Sequence, residues 1–150
     1  MPKHRWSLLC RHAVVDKYTN LLSILDVVDE AELRELPDER PEGRGNAAIA
    51  LDAQFVTVWE RSNPERPERF VQAVTVTFPG GELHDSGVRI EGDLSKHRRT
   101  RLIIALGAVT YGGPGTYLFN VHLEKNGSLG KIIDSVPFNF KPKKEEASSA

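Results

Sequence analysis

The sequence predicts an all-β protein, a single antiparallel β-sandwich of about seven or eight strands with at most one short helix. Two observations lead to this prediction. Short segments alternate apolar with polar residues, and Gly, Pro, Asn or Asp interrupts them about every ten residues. The clearest strand covers 115–124, and Asn126-Gly127, which follows it, suits a type I′ hairpin turn. The residues predicted to face inward from this strand are Tyr117, Phe119, Val121 and Leu123.

Eight segments have the pattern of a strand. The polar turn 16–20 separates the first two, because Asp and Asn can close a turn with their own side chains. Both faces of the second segment are largely apolar, so we expect it to be well covered. The predicted strands are 6–15, 21–28, 48–60, 70–78, a short strand around Val88 and Ile90, 102–106, 115–124 and 132–140.

The region 29–45 follows neither a helix period nor a strand period. Asp29 and Glu32 have the spacing of a capping pair and predict a short helix over 30–36, with an edge-strand extension as an equal alternative. A loop as long as 34–47 in a compact domain is typically functional or disordered. The predicted domain is 1–141, and the charged, small-residue segment 142–150 is predicted to be a disordered tail.

Gly115 and Tyr117 have the spacing of the tyrosine corner of immunoglobulin-like domains, in which the Tyr hydroxyl bonds to nearby backbone. Phe119 occupies the position that a cysteine has in antibody domains, so we expect packing there in place of a disulfide. The predicted sandwich is therefore immunoglobulin-like or a similar Greek key.

Three stretches carry a resemblance to a known family: the apolar segment 19–28, Phe78-Pro79-Gly80-Gly81, and the segment 114–119. In these stretches the chain resembles a family of short uncharacterised bacterial proteins, classed as a domain of unknown function, over residues 6 to 140. The resemblance implies a bacterial origin and a stand-alone β-sandwich. It supplies no catalytic residues.

Composition restricts the functional classes. The net charge of −1 over 150 residues produces no global attraction to nucleic acid or to an anionic membrane. Cys10 is the only cysteine, which excludes an internal disulfide and favours a reducing compartment. Its apolar strand face predicts an inert core thiol. No apolar run approaches the roughly 20 residues of a membrane span, so we expect a cytoplasmic protein that does not contact membrane.

The histidines do not have the spacing of a zinc site. His84 and Asp85 form the best local pair of imidazole and carboxylate, but a polar loop after Gly80-Gly81 is the favoured explanation for them. His122 lies on the polar face of its strand, where we expect it to be exposed. The sequence thus predicts no catalytic residues, no cofactor and no metal.

A polar site built from the loops is the alternative. Asp16, Asp26 and Asp29 could approach one another at one end of the sandwich, but calcium sites usually contain an Asp-x-Asp pair, which is missing here. A small-ligand or metal-binding protein, or a small enzyme, would instead use Asp16, Asp26, His84 and Asp85.

The basic run 96–101 is the sharpest charged feature, and its candidate interaction residues are Lys96, Arg98, Arg99 and Arg101. It could be a solvated loop that protects a sheet edge, a protein contact, or a partner for the acidic stretch 30–42 of the same or another copy. Nucleic acid is disfavoured, because no aromatic residue interrupts the run, yet a weak contact with phosphates through these arginines stays an alternative.

The preferred prediction is a non-enzymatic protein-binding or scaffold module. Its partner would be an unknown protein, with homo-oligomerisation through an edge strand as a further option.

Overall fold

The computed structural model describes residues 1–33 and 48–142. These residues form nine strands and no helix. The order of the loop 34–47 and the predicted tail lie outside the described residues, apart from residue 142, which ends the last strand. The strands are β1 (Lys3–Val15), β2 (Leu22–Val27), β3 (Glu30–Leu33), β4 (Ala48–Glu60), β5 (Arg69–Thr77), β6 (Leu83–Asp93), β7 (Arg99–Thr110), β8 (Gly115–Lys125) and β9 (Ser128–Pro142).

Two sheets pack face to face. One has the strand order β2-β1-β4-β7 and the other β3-β9-β8-β5-β6. All neighbours are antiparallel except β3 and β9. Across the sandwich β1 contacts β9 and β6 contacts β7. The predicted all-β sandwich is confirmed.

The helix predicted over 30–36 is wrong over residues 30–33. These residues run parallel to β9 as β3, with Glu30 opposite Asn139, and Asn139 N donates to Asp29 O at 2.9 Å. Without β3, strand β9 would end its sheet with a row of unpaired backbone groups, and pairing with them satisfies the backbone of residues 30–33 as well. The equal alternative, an edge-strand extension, is the one that forms.

Aromatic side chains fill the space between the sheets. Phe55 of β4 and Phe119 of β8 meet across the sandwich with ring centroids 6.4 Å apart. Phe138 and Phe140 of β9 pack beside them. Each buried side chain of this size stabilises the fold by about 1.5 to 3 kcal/mol. The inward residues predicted for β8 are confirmed, since Tyr117, Phe119, Val121 and Leu123 are all buried.

The tyrosine corner is also present. Tyr117 Oη accepts a hydrogen bond from Gly112 N at 2.8 Å and donates one to Gly113 O at 2.6 Å. Burial raises the pKa of the Tyr117 hydroxyl, which keeps the donating proton in place. Phe119 packs against Phe138, so ring contacts stand where antibody domains have a disulfide.

The hairpin of β1 and β2 forms one edge of its sheet, but beyond Cys10 it bends away from β4 and its tip reaches the start of β7. β1 pairs with β4 only as far as Cys10. Beyond it, Arg11 and His12 border a depression together with residues 105–107 of β7. Arg101 Nη2 then donates to the backbone O and Oδ1 of Asn20 at 2.9 and 2.8 Å. We call residues 11–27 the hairpin flap.

Candidate functional site

The hairpin flap concentrates exposed apolar side chains. Of the twelve large apolar residues that are exposed in the described part of the chain, six lie between residues 14 and 27. Tyr18, at the tip, is 93% exposed. These six are Val14, Val15, Tyr18, Leu21, Leu25 and Val27. Such clustering marks an interaction surface more often than scattered exposed residues do.

Register explains which side of the flap is open. In the antiparallel pair of β1 and β2, Leu25 lies opposite His12 and Ser23 opposite Val14. Directly opposed residues share a face, so Val14 and Leu25 lie on the exposed one. Ile24 lies on the other face and is half-buried. The expectation that this strand is covered on both faces is therefore wrong, because the flap rests on the sheet with one face only.

A basic cleft of about 490 Å³ lies at the end of the sandwich where β4 ends and β7 begins. The antiparallel register brings the start of β1 to the same place, with Lys3 opposite Glu60 and Glu60 opposite Arg99. The charged and imidazole side chains that line it, and define it here, are Lys3, Glu60, Arg61, His97, Arg98 and Arg99.

Two of these cations are held by the protein. Arg61 donates from Nε to Leu94 O at 2.7 Å, from Nη2 to Ser95 O at 3.0 Å and from Nη1 to Pro64 O at 2.9 Å. Arg99 Nε donates to Glu60 Oε2 at 3.0 Å. This hydrogen bond is the main reason that the pKa of Glu60 lies below its ordinary value.

Lys3 and Arg98 are not held in this way. Neither side chain forms a hydrogen bond or an ion pair with any residue of 1–33 or 48–142. Glu60 already accepts from Arg99 and has Arg5 Nη1 at 3.4 Å. The cleft therefore keeps uncompensated positive charge.

Only some residues of the predicted basic run 96–101 line the basic cleft. Arg98 and Arg99 line the cleft, and Arg101 binds Asn20 beside it. Lys96 is exposed and does not line it. In the acidic stretch, Glu30 pairs with Lys141 at 2.7 Å and not with the basic run.

Lys3 and Arg61 are cleft residues that the sequence reasoning did not single out. They lie far from the run 96–101 in the chain, and the pairing of three strands alone brings them beside Arg98.

His122 is buried, and the expectation that it is exposed is wrong. Its Nδ1 lies 2.8 Å from Gly130 O and its Nε2 lies 2.7 Å from Thr75 Oγ1. A carbonyl only accepts, so Nδ1 carries a proton, and in the neutral ring Nε2 then accepts from the Thr75 hydroxyl. Asn120 Nδ2 completes the network by donating to Thr75 Oγ1 at 3.1 Å. Thr75 of β5 and Gly130 of β9 flank the ring on the outer face of the sheet, and the network satisfies its polar groups.

His84 and Asp85 do not act as a pair. Successive strand residues point to opposite faces. His84 stacks on Phe78 at 5.7 Å, whereas Asp85 binds Arg89, whose Nη2 lies 2.7 Å from Oδ2. Arg89 also binds Glu124. The hydrogen bond from Arg89 is the largest of the effects that lower the pKa of Asp85 to about 2.

The polar set Asp16, Asp26, His84 and Asp85 is not brought together. Asp16 lies at the flap tip, where Oδ1 accepts from Tyr18 N and Thr19 N at 2.8 Å each. The tip is tied to the start of β7 by Arg101, whereas His84 borders the end of β7, around residues 106–110. In the ranges 1–33 and 48–142, no three His, Cys, Asp or Glu side chains are close enough to hold a metal ion.

Cys10 is buried and unpaired. Burial raises the pKa of its thiol, as expected for an inert side chain. None of the described segments is a helix of the length and apolarity that crossing a membrane requires.

Comparisons with family models, with curated proteins and with solved structures give no significant match for this chain. The resemblance to a bacterial domain of unknown function therefore stays a prediction.

Proposed function

We propose that this chain is a non-enzymatic protein-binding module and that the exposed face of the hairpin flap is its contact surface. One observation carries the proposal: half of the exposed large apolar residues of the described part lie in this short hairpin. Removing apolar surface from water stabilises a complex by about 25 cal/mol for each Å² before the losses of association are subtracted. Leu21, Leu25 and Val27 are the residues that would contribute most.

The free edge of β2 suggests how the partner binds. β2 ends its sheet, so one row of its backbone N–H and C=O groups has no neighbouring strand in the described part. An extended segment of another protein can pair with this edge and place alternate side chains on Leu25 and Val27. Asp26 is the only charged residue of β2, so an apolar segment is the partner that fits.

Three polar residues that could act as catalytic groups instead stabilise local structure, and this supports a binding role. Asp16 closes a turn, Asp85 pairs with Arg89, and His122 joins two strands. The proposed location is the cytoplasm, on the strength of the single Cys10. The proposed bacterial origin rests on the resemblance noted above.

Site-specific photo-crosslinking tests the proposal. A photoreactive residue replaces Leu25 on the flap or, as a control, the exposed Glu91 of β6, in cells of the source organism. We expect one dominant crosslinked protein from position 25 that is absent from position 91. When purified, that protein should bind the wild-type chain and bind Leu25→Asp at least tenfold more weakly.

Crosslinking of the chain to itself would identify the partner as a second copy, and the Leu25→Asp variant should then lower its mass in solution. Equal products from both positions, or unchanged binding by Leu25→Asp, would exclude the flap as the contact surface.

A further inference from the structure

We propose that the basic cleft binds a ligand that carries two or more linked phosphate groups. Four cationic side chains and one carboxylate line it. That carboxylate, Glu60, is already engaged by Arg99 and Arg5. Lys3 and Arg98 thus form no ion pair or hydrogen bond with a described side chain, and a bound phosphate would supply that contact.

The cleft is also pre-organised. Three carbonyl oxygens fix the guanidinium of Arg61, which uses three of its five N–H groups and leaves two for a ligand. Glu60 orients Arg99 in the same way, and Arg101 fixes Asn20 at the rim. Side chains that are ordered before binding lose less entropy when the ligand arrives.

Shape and composition define the ligand class. A volume of about 490 Å³ exceeds what a single phosphate fills. No Phe, Tyr or Trp ring is among the described residues that line the cleft, so it lacks the usual platform for stacking a base. The chemistry that fits is a chain of phosphates, from either a small polyphosphate or a nucleic-acid backbone. The exposed face of the flap consists of other residues, so this inference is independent of the proposed function.

Calorimetric titration at low salt tests the proposal with two probes, tripolyphosphate and a short poly-dT oligonucleotide. We expect tripolyphosphate to bind and its affinity to fall as salt is added. Lys3→Gln and Arg98→Gln should each weaken binding by roughly three- to tenfold, the effect of losing one charge-assisted contact. Lys131→Gln, at an exposed position of β9, is the matched control and should change affinity less than about twofold.

Tighter binding of the oligonucleotide, lost in the same two variants, would support the proposal and assign the phosphates to a nucleic-acid backbone. Binding of tripolyphosphate alone would support it with a small anion as ligand. The proposal is overturned if neither probe binds at low salt, or if Lys131→Gln weakens binding as much as Arg98→Gln. None of these outcomes tests the role of Leu25 or of the hairpin flap.

Discussion

Gln72 Oε1 accepts a hydrogen bond from Trp59 Nε1 at 2.8 Å, which joins β5 to β4 through the interior of the sandwich. Thr57 Oγ1 donates to the same oxygen at 2.6 Å. Because an indole N–H only donates, the amide is oriented with its oxygen toward Trp59. Its Nε2 has no partner in the described part of the chain. One buried amide oxygen therefore satisfies two donors and positions the largest core side chain.

Replacing this amide should destabilise the protein. Gln72→Leu keeps a similar volume but leaves Trp59 Nε1 with only its longer hydrogen bond to Thr57 Oγ1, at 3.2 Å, and removes the acceptor of the Thr57 hydroxyl. This loss costs about 1 to 3 kcal/mol. The gain from removing the unpaired Nε2 offsets part of this. Urea unfolding followed by Trp fluorescence measures the change, and a variant as stable as the wild type would contradict a net stabilising role for this amide.

The tyrosine corner is testable with a matched pair of variants. Tyr117→Phe removes the hydroxyl that both accepts from Gly112 N and donates to Gly113 O, so we expect a loss of about 1 to 2 kcal/mol. Tyr18→Phe makes the same chemical change at the exposed tip of the flap and should alter stability by less than about 0.5 kcal/mol. Equal midpoints of urea unfolding for the two variants would contradict the structural role of the corner.

The lowered pKa of Asp85 predicts that the protein loses stability in acid. Its pKa is about 2 in the folded protein against an ordinary value of 3.8, so the unfolded chain binds its proton first as the pH falls. The stabilisation is present above pH 3.8 and is lost between that value and about 2. Since the ion pair with Arg89 is partly exposed, it is worth at most about 1 kcal/mol.

The free energy of unfolding of Asp85→Asn should accordingly decline less steeply than that of the wild type over this acidic range. Asp52→Asn is the control, because the side chain of Asp52 is 92% exposed. If Asp52→Asn reduced the pH dependence of the free energy of unfolding as much as Asp85→Asn does, that reduction could not be assigned to the ion pair of Asp85 with Arg89.

His4 predicts a second pH dependence, nearer neutrality. Its ring packs edge-on against Trp59 at 5.2 Å, and burial lowers its pKa although the Asp134 carboxylate opposes the shift. A lowered pKa means that stability is present above 6.5, the ordinary value, and is lost as the pH falls below it.

Unfolding free energies measured on both sides of that value should fall toward acid in the wild type and in His12→Gln, whose side chain is exposed. In His4→Gln this part of the slope should disappear. A wild-type stability that does not change through this range would show that protonation of His4 is not linked to folding.

Local pattern was enough to predict most strands, because period-2 alternation and turn residues are written into adjacent positions. The strand 48–60 and the inward face of β8 follow the prediction closely. The tyrosine corner was predictable for the same reason, since its hydroxyl bonds to backbone four and five residues away. The segment 30–33 was ambiguous, because a four-residue strand depends on β9, more than one hundred positions later.

The candidate surfaces were only partly predictable. The basic run is visible in the sequence, yet Lys3 and Arg61 join it only through the register of β1, β4 and β7. The apolar strand after the first turn has the pattern of a covered strand, yet one of its faces is exposed because the hairpin no longer pairs with β4 beyond Cys10. His122 reads as a surface residue, and it is buried because Thr75 and Gly130 of neighbouring segments enclose it.

The sequence by itself determined the fold class, the strand periodicity and the turn chemistry, because these depend on side chains a few positions apart. The tertiary structure alone decided which faces are covered and which charges converge. Burial and charge depend on contacts between segments far apart in the chain, and strand register sets those contacts.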